Sequence, residues 1–216
     1  PFTKPIYAFR GVKEDWELDL MRKAQNITDK AFAEVVTRIK PGMSELELQA
    51  ELIYCLYKNG GTGLAFSPIV VSGPNTSLPH GVPGERKLQE GDFITMDFGV
   101  LYQGYCSDMT RTVALGYATE EMKLVYDTVA KAQLAGIAAS RAGVTGEAVD
   151  AAALDRLAAM ADARLQAKGE ESISYSPEQY AVVQKAKVIR FGNYLAVLVS
   201  PDVDTLETVF NTAAGI

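Results

Sequence analysis

Two carboxylates set the chemical question in this chain. Asp97 and Asp108 lie in the run Asp97-Phe-Gly-Val-Leu-Tyr-Gln-Gly-Tyr-Cys-Ser-Asp108-Met-Thr-Arg-Thr112. The run reads as two strands around a turn near Gln103-Gly104, and residues opposed in an antiparallel pair share a face. A turn centred between Tyr102 and Gln103 puts Asp97 opposite Asp108. One centred between Gln103 and Gly104 puts Asp97 opposite Thr110, with Asp108 its diagonal neighbour. Either register brings the two within roughly 5–8 Å between Cβ atoms, whereas a three-residue loop sends them to opposite faces. Bare carboxylates that close repel and raise one pKa. A divalent cation relieves the repulsion, and oxygen donors suit Mn²⁺, Mg²⁺ or Zn²⁺. The plainer reading is two acids on a solvated sheet face.

The elements that must position this pair follow from period and punctuation. Trp16 to Ile39 carries Leu18, Leu20, Met21, Ala24, Ile27, Ala31, Phe32, Val35, Val36 and Ile39 at helical spacing and stops at Lys40-Pro41-Gly42. Ser44-Glu45-Leu46-Glu47 has the capping-box pattern, with Ser44 as N-cap of a second helix running to about Tyr57. Strands are predicted over Phe66–Val71, Phe93–Leu101 and Cys106–Leu115. The prolines of Leu78-Pro79-His80-Gly81-Val82-Pro83-Gly84 make that stretch a loop. Thr119–Ala142 and Glu147–Lys168 read as helices, 169–177 as a polar linker, and Lys187–Arg190 with Tyr194–Val199 as a hairpin around Phe191-Gly192-Asn193. Val203–Ala213 closes the chain as a helix.

Composition narrows the classes. Apolar residues make up 48% and charged residues 22% of 216, enough for a sizeable core. A net charge of −6 argues against nucleic acid as a partner. No apolar run reaches the ~18 residues of a membrane span, and no signal-type stretch follows Pro1. Cys55 and Cys106 are too few for a disulfide framework and suit free thiols in the cytoplasm.

Taken in order, the motifs resemble the pita-bread metallopeptidases, the family of methionine aminopeptidase, aminopeptidase P, prolidase and creatinase. The Asp97–Thr112 run is similar to its metal-binding signature. Phe66-Ser-Pro-Ile-Val-Val-Ser-Gly73 and Leu78-Pro79-His80-Gly81 resemble the segment with its substrate-site histidine. Glu90-Gly91-Asp92 resembles the turn before the first metal strand, and Arg10 to Ala24 the opening of the catalytic domain. The Gly-Tyr-Cys-Ser-Asp-Met-Thr-Arg-Thr run resembles the Xaa-Pro aminopeptidase and dipeptidase branch most. The resemblance implies an α/β (α+β) fold, two divalent ions (Mn, Co or Zn), and a peptide substrate with proline at the second position. It implies Asp97 as the first metal ligand, Asp108 as the bridging ligand and His80 as the substrate-contacting histidine.

The family also uses a further histidine and two glutamates, all C-terminal to the hairpin. His80 is the only histidine here, and no later stretch resembles the glutamate motifs. Glu170, Glu171, Glu178, Asp202, Asp204 and Glu207 read as loop and helix-end charges. The expectation is a partial pita-bread domain, the first half only, over 1–155. It is followed over 156–216 by an unrelated hairpin-plus-helix tail similar to small bacterial proteins of unknown function, with a junction near 153–165. A natural fusion, a misassembled gene or an engineered chimera would each give such a junction. Weak or absent metal binding and doubtful activity follow from the missing ligands; a non-catalytic binding or remnant module is the alternative. Apolar strand faces left open by half a fold would favour a homo-oligomer.

Overall fold

Helix α1, Asp15–Val35, buries Ala24, Ile27, Thr28, Ala31 and Val35, the i, i+3, i+4, i+7 stripe that a 3.6-residue period places on one face. The computed structural model describes residues 10–173, 177–191 and 194–214, and α1 continues into a single 3₁₀ turn at Val36–Arg38. Helix α2, Glu45–Lys58, starts as expected: Glu47 N donates to Ser44 Oγ at 3.1 Å and Ser44 N donates to Glu47 Oε2 at 2.6 Å. This reciprocal pair satisfies two otherwise orphaned donors.

Six short strands follow: β1 Gly63–Leu64, β2 Ile69–Ser72, β3 Phe93–Phe98, β4 Val100–Tyr102, β5 Tyr105–Cys106 and β6 Met109–Ala114. They form two antiparallel sheets, ordered β2-β3-β6 and β1-β4-β5. Burial alternates along β3, with Ile94, Met96 and Phe98 buried and Phe93, Thr95 and Asp97 half-exposed. The buried set packs with Val70 against Leu48, Leu52, Leu56, Ala31 and Val35 of the two helices, and the Phe32 and Phe98 rings stack at 6.4 Å. Each of the larger side chains in this set contributes about 1.5–3 kcal/mol by leaving water.

Two strand expectations needed correction. The strand predicted from Phe66 begins at Ile69, because Pro68 has no N–H to give a ladder; its carbonyl accepts from Gln49 Nε2 at 2.6 Å instead. The long strands predicted over 93–101 and 106–115 are each interrupted, at Gly99 and at Ser107-Asp108. There the two chains approach so closely that a Cβ on Gly99 would stand 2.0 Å from the Ser107 carbonyl oxygen.

The expected apolar strand faces are not what this unit exposes. Among the described residues up to 119, the large exposed apolar side chains, such as Trp16, Tyr54, Tyr57, Leu78 and Val82, lie on helices and loops. None lies on β2, β3 or β6.

The chain divides into two compact units, 1–119 and 120–216. The second contains α3 Glu120–Ala139, α4 Gly146–Ile173, α5 Pro177–Gln184, the hairpin β7 Lys187–Phe191 with β8 Tyr194–Leu198, and α6 Val203–Ala214. Helices α3 and α4 pack together, with Gly136 3.7 Å from Ala153 Cβ at its Cβ position. The boundary expected near residue 155 falls inside α4, one continuous alanine-rich helix. The polar linker expected over 169–177 is helix through Ile173, and α5 begins at Pro177. Glutamate and lysine are good helix formers, so polarity alone did not mark a break; a proline at the first helical position is pre-set for helix. Residues 174–176 and the turn residues Gly192 and Asn193 lie outside the described residues. Among the described residues no helix is long and apolar enough to cross a membrane, and both cysteines are free thiols.

Candidate functional site

The turn at the tip of the hairpin decides its register. Gln103 and Gly104 both have positive φ, 48° and 87°, as a two-residue type I′ turn requires. Tyr102 therefore pairs with Tyr105, Leu101 with Cys106, and, beyond the interruption, Asp97 with Thr110 in the same register. Of the arrangements open from sequence this is the second. Asp97 faces Thr110, and Asp108 stands one diagonal step along, exposed, in the break between β5 and β6.

Around Asp97 the face is polar. Thr110 Oγ1 donates to Asp97 Oδ1 at 2.9 Å, and the hydroxyls of Thr95 and Thr112 pair at 2.9 Å. Ile69 and Val71 of β2 share this face through their pairing with Asp97 and Thr95.

The backbone ahead of Asp108 is anchored from behind. Buried Ser107 accepts from Val100 N at 3.0 Å on its Oγ and donates its own N–H to Val100 O at 3.0 Å. Its hydroxyl also pairs with Thr28 Oγ1 of α1. Thr28 gives its proton to the Ala24 carbonyl at 3.1 Å, so Ser107 supplies the proton of the shared bond.

The hairpin tip is tied to the start of α1. Arg10 Nη2 and Tyr105 Oη both donate to Glu17 Oε1, at 2.6 and 2.5 Å, and Glu14 N donates to Oε2 at 2.8 Å. Hydrogen bonds from the Arg10 guanidinium, then from Tyr105, then from the Glu14 N–H hold the Glu17 carboxyl down at about 2. The Trp16 ring meets Tyr105 edge-on at 6.0 Å.

His80 is exposed in the loop between β2 and β3. Its neighbour Gly81 is buried: a Cβ there would lie 2.8 Å from Val71 Cγ1. Val71 is on Asp97's side of the sheet, so the loop bearing His80 crosses that side. At its far end Arg86 makes a two-pronged pair with Asp92, at 2.6 and 2.9 Å. Burial pushes the Asp92 carboxyl up, but Arg86 and the Gln89 N–H outweigh it and leave it below the usual carboxylate range.

Does this face fit a two-metal centre? Asp97 and Asp108 supply oxygen donors of the right chemistry, but among the described residues no group of three or more His, Cys, Asp or Glu is assembled for a metal ion. Of the tail acids named from sequence, Asp204 and Glu207 are taken by Lys187 at 2.7 and 2.5 Å, and Asp202 Oδ1 accepts from Thr205 N at 3.3 Å at the start of α6. Among the described residues this face offers the oxygen donors of two carboxylates.

Sequence reasoning singled out the two acids and the histidine but passed over most of the residues that hold their surroundings. Glu45 enters the sequence reading only as part of a helix start, and Ser107 only as a letter of a motif. The signal for Thr110 was its position opposite Asp97 in one of the open registers.

Comparison with known proteins places the chain. The sequence model of metallopeptidase family M24 matches residues 19–189, past the junction expected near 153–165. An uncharacterized peptidase of Bacillus subtilis, YqhT, is 39% identical over 159 residues, covering 74% of this chain and 45% of that protein. The Xaa-Pro dipeptidase of Pyrococcus horikoshii is 35% identical over 153 residues, covering 71% and 44%. Among solved structures, the X-Pro aminopeptidase of Thermotoga maritima superposes with a TM-score of 0.70 at 38% identity, over 71% of this chain and 44% of that one. The chain thus spans a little under half the length of these relatives, and its fold is a partial pita-bread fold.

Proposed function

This chain belongs to metallopeptidase family M24, and on that premise we propose that Asp97 and Asp108 are metal-binding carboxylates of an Xaa-Pro peptidase site with His80 on its substrate side. The substrate class is a peptide with proline at the second position. The observation that carries the reading is the hairpin register: Asp97 opposite Thr110, Asp108 diagonal to it, and the His80 loop crossing the same side of the sheet. The metals of this lineage, Mn²⁺, Co²⁺ or Zn²⁺, would be held at this edge and would activate a water for attack on a peptide carbonyl. The chain's own part is to hold two carboxylates at fixed spacing and to present His80 to the peptide.

The described residues stop short of a full ligand set. Two carboxylates leave most positions around such a divalent ion to water, and a water held loosely loses the positioning on which its reactivity depends. The 216-residue chain by itself therefore binds these ions weakly and does not turn over Xaa-Pro peptides. The same shortfall favours the second reading, a non-catalytic module that keeps the first half of the fold.

One purified sample assayed for metal content and for Xaa-Pro hydrolysis with added Mn²⁺, Co²⁺ or Zn²⁺ tests this. The expected result is weak ion binding that Asp108→Ala removes, and no turnover. Hydrolysis that disappears on Asp108→Ala, or tight uptake of two ions by calorimetry, would overturn the incomplete-site reading. Ion binding indifferent to both Asp97→Ala and Asp108→Ala would overturn the assignment of the carboxylates.

A further inference from the structure

Another carboxylate, away from the candidate metal face, bonds the loop that carries His80. Glu45 is the first residue of α2 and is fully buried, at 0% exposure. Its Oε1 accepts from Ser72 N at 2.7 Å, from Ser72 Oγ at 2.8 Å and from Asn75 Nδ2 at 3.3 Å. Its Oε2 accepts from Gly84 N at 3.0 Å. Ser72 is the last residue of β2, where the loop departs, and Gly84 is where it returns. The main chain of the helix start reinforces the join: Leu46 N donates to Gly84 O at 3.2 Å and Glu45 N to Arg86 O at 3.1 Å. Arg86 Nη1 in turn donates to Ser72 Oγ at 2.6 Å, so that hydroxyl is fixed as acceptor from Arg86 and donor to Glu45.

The route of the loop gives this clamp a consequence. Ser72 pairs with Ile94, a core residue, so its side chain and Glu45 lie on the helix side of the sheet. Between Ser72 and Gly84 the chain passes to the other side, where Gly81 rests on Val71. His80 itself makes none of these contacts. One carboxylate bonds both ends of the loop that carries it.

We propose that Glu45 is a positioning residue: its buried carboxylate joins the departing and returning ends of the 72–84 loop and so fixes His80 over the Asp97 side of the sheet. The functional value of that placement rests on the substrate-side role proposed for His80; the clamp itself does not. A charged acceptor shared by several donors suits this task. Donors from both ends converge on one group, and each bond is strengthened by the charge and by exclusion of water.

The test uses the full chain and its single histidine, which gives one imidazole signal by NMR. Glu45→Gln keeps the size but replaces an acceptor oxygen with a donor. It is expected to move and sharpen the His80 imidazole signal. It should also speed amide exchange at the hydrogen-bonded Gly81 and Gly84 amides by about tenfold, while Ile94 and Met96 in β3 keep their protection. Ser72→Ala removes one donor and leaves the carboxylate in place; it should give the same pattern at smaller amplitude, and it decides the matter if Glu45→Gln does not fold. An unchanged His80 signal and unchanged loop exchange would overturn the proposal. So would exchange that rises equally through β3, since that is the mark of a purely structural role. Addition of an Ala-Pro dipeptide to the wild-type chain separates the two ideas. If the loop loosens in the variants while the dipeptide leaves His80 unmoved, the clamp stands and the substrate role of His80 falls.

Discussion

Asp97 stands directly across the β3–β6 ladder from Thr110, and the threonine hydroxyl donates to its carboxylate at 2.9 Å. The bond uses one lone pair of one oxygen and orients the group across the open face. It leaves the second oxygen free of a protein hydrogen bond among the described residues.

Replacing Thr110 by valine should therefore separate orientation from stability. Valine suits a strand as well as threonine does, and the bond is exposed, so the fold should change by less than about 1 kcal/mol in urea titration. Ion binding at Asp97 should weaken by about tenfold, the usual effect of losing a partner behind a ligand. Mn²⁺-induced broadening of the Asp97 and Thr110 signals reads this directly. Undiminished broadening would mean that the hydroxyl does not orient the carboxylate.

Gly99 should not tolerate a side chain. A Cβ at this position would lie 2.0 Å from the Ser107 carbonyl oxygen and 3.1 Å from Ala65 Cβ, and both neighbours are held, one by the hairpin and one by the adjoining strand. Gly99→Ala is expected to cost about 3 kcal/mol in urea or thermal unfolding. A variant as stable as wild type would show that the two chains can part there without loss.

The Thr28–Ser107 hydroxyl pair links α1 to the backbone just ahead of Asp108. Ser107→Ala leaves the buried Val100 N–H without its acceptor and should cost about 1–3 kcal/mol. Thr28→Val should cost less, because the Thr28 proton goes only to a helix carbonyl already in use. The double variant should be less destabilised than the sum, with a coupling of about 1 kcal/mol in a double-mutant cycle. Strict additivity would mean that the hydroxyls do not support each other.

Glu17 makes stability depend on acid. Its carboxyl titrates at about 2 in the fold, against an ordinary 4.5. The folded state thus holds the charged form more tightly than the unfolded state does, and at intermediate pH the unfolded state binds more protons. The contribution is complete above 4.5 and is lost as pH falls toward 2. Wild type minus Glu17→Gln, measured by denaturant midpoint across that window, should shrink steadily as pH drops. The subtraction also removes the similar acid-side slope expected from Asp92, whose carboxyl is likewise held low. A difference that stays flat would show that Arg10 and Tyr105 do not hold the charge.

Much of the first unit was legible in the sequence because its signals are local. Both helix starts and stops, the Ser44 cap, the hairpin and its turn follow from period, capping chemistry and glycine placement, each read over a few neighbouring residues. The second unit was legible in its outer elements and not in its middle. The linker expected over 169–177 was read from polarity, which glutamate and lysine also bring to a helix, and α5 is short enough for its period to be lost in the noise of composition.

The sequence by itself singled out Asp97, Asp108 and His80 as the candidates for chemistry and confined the two acids to a few registers. Only the tertiary structure decided among those registers, through positive φ at Gln103 and Gly104. It alone brought Glu45 to both ends of the His80 loop and Thr28 to the residue before Asp108. The physical reason is the same in each case. Alternation and capping act between near neighbours and are written in order along the chain. A buried carboxylate or hydroxyl is satisfied by whatever the fold brings to it, and residues 27 and 79 positions away leave no local trace of the meeting.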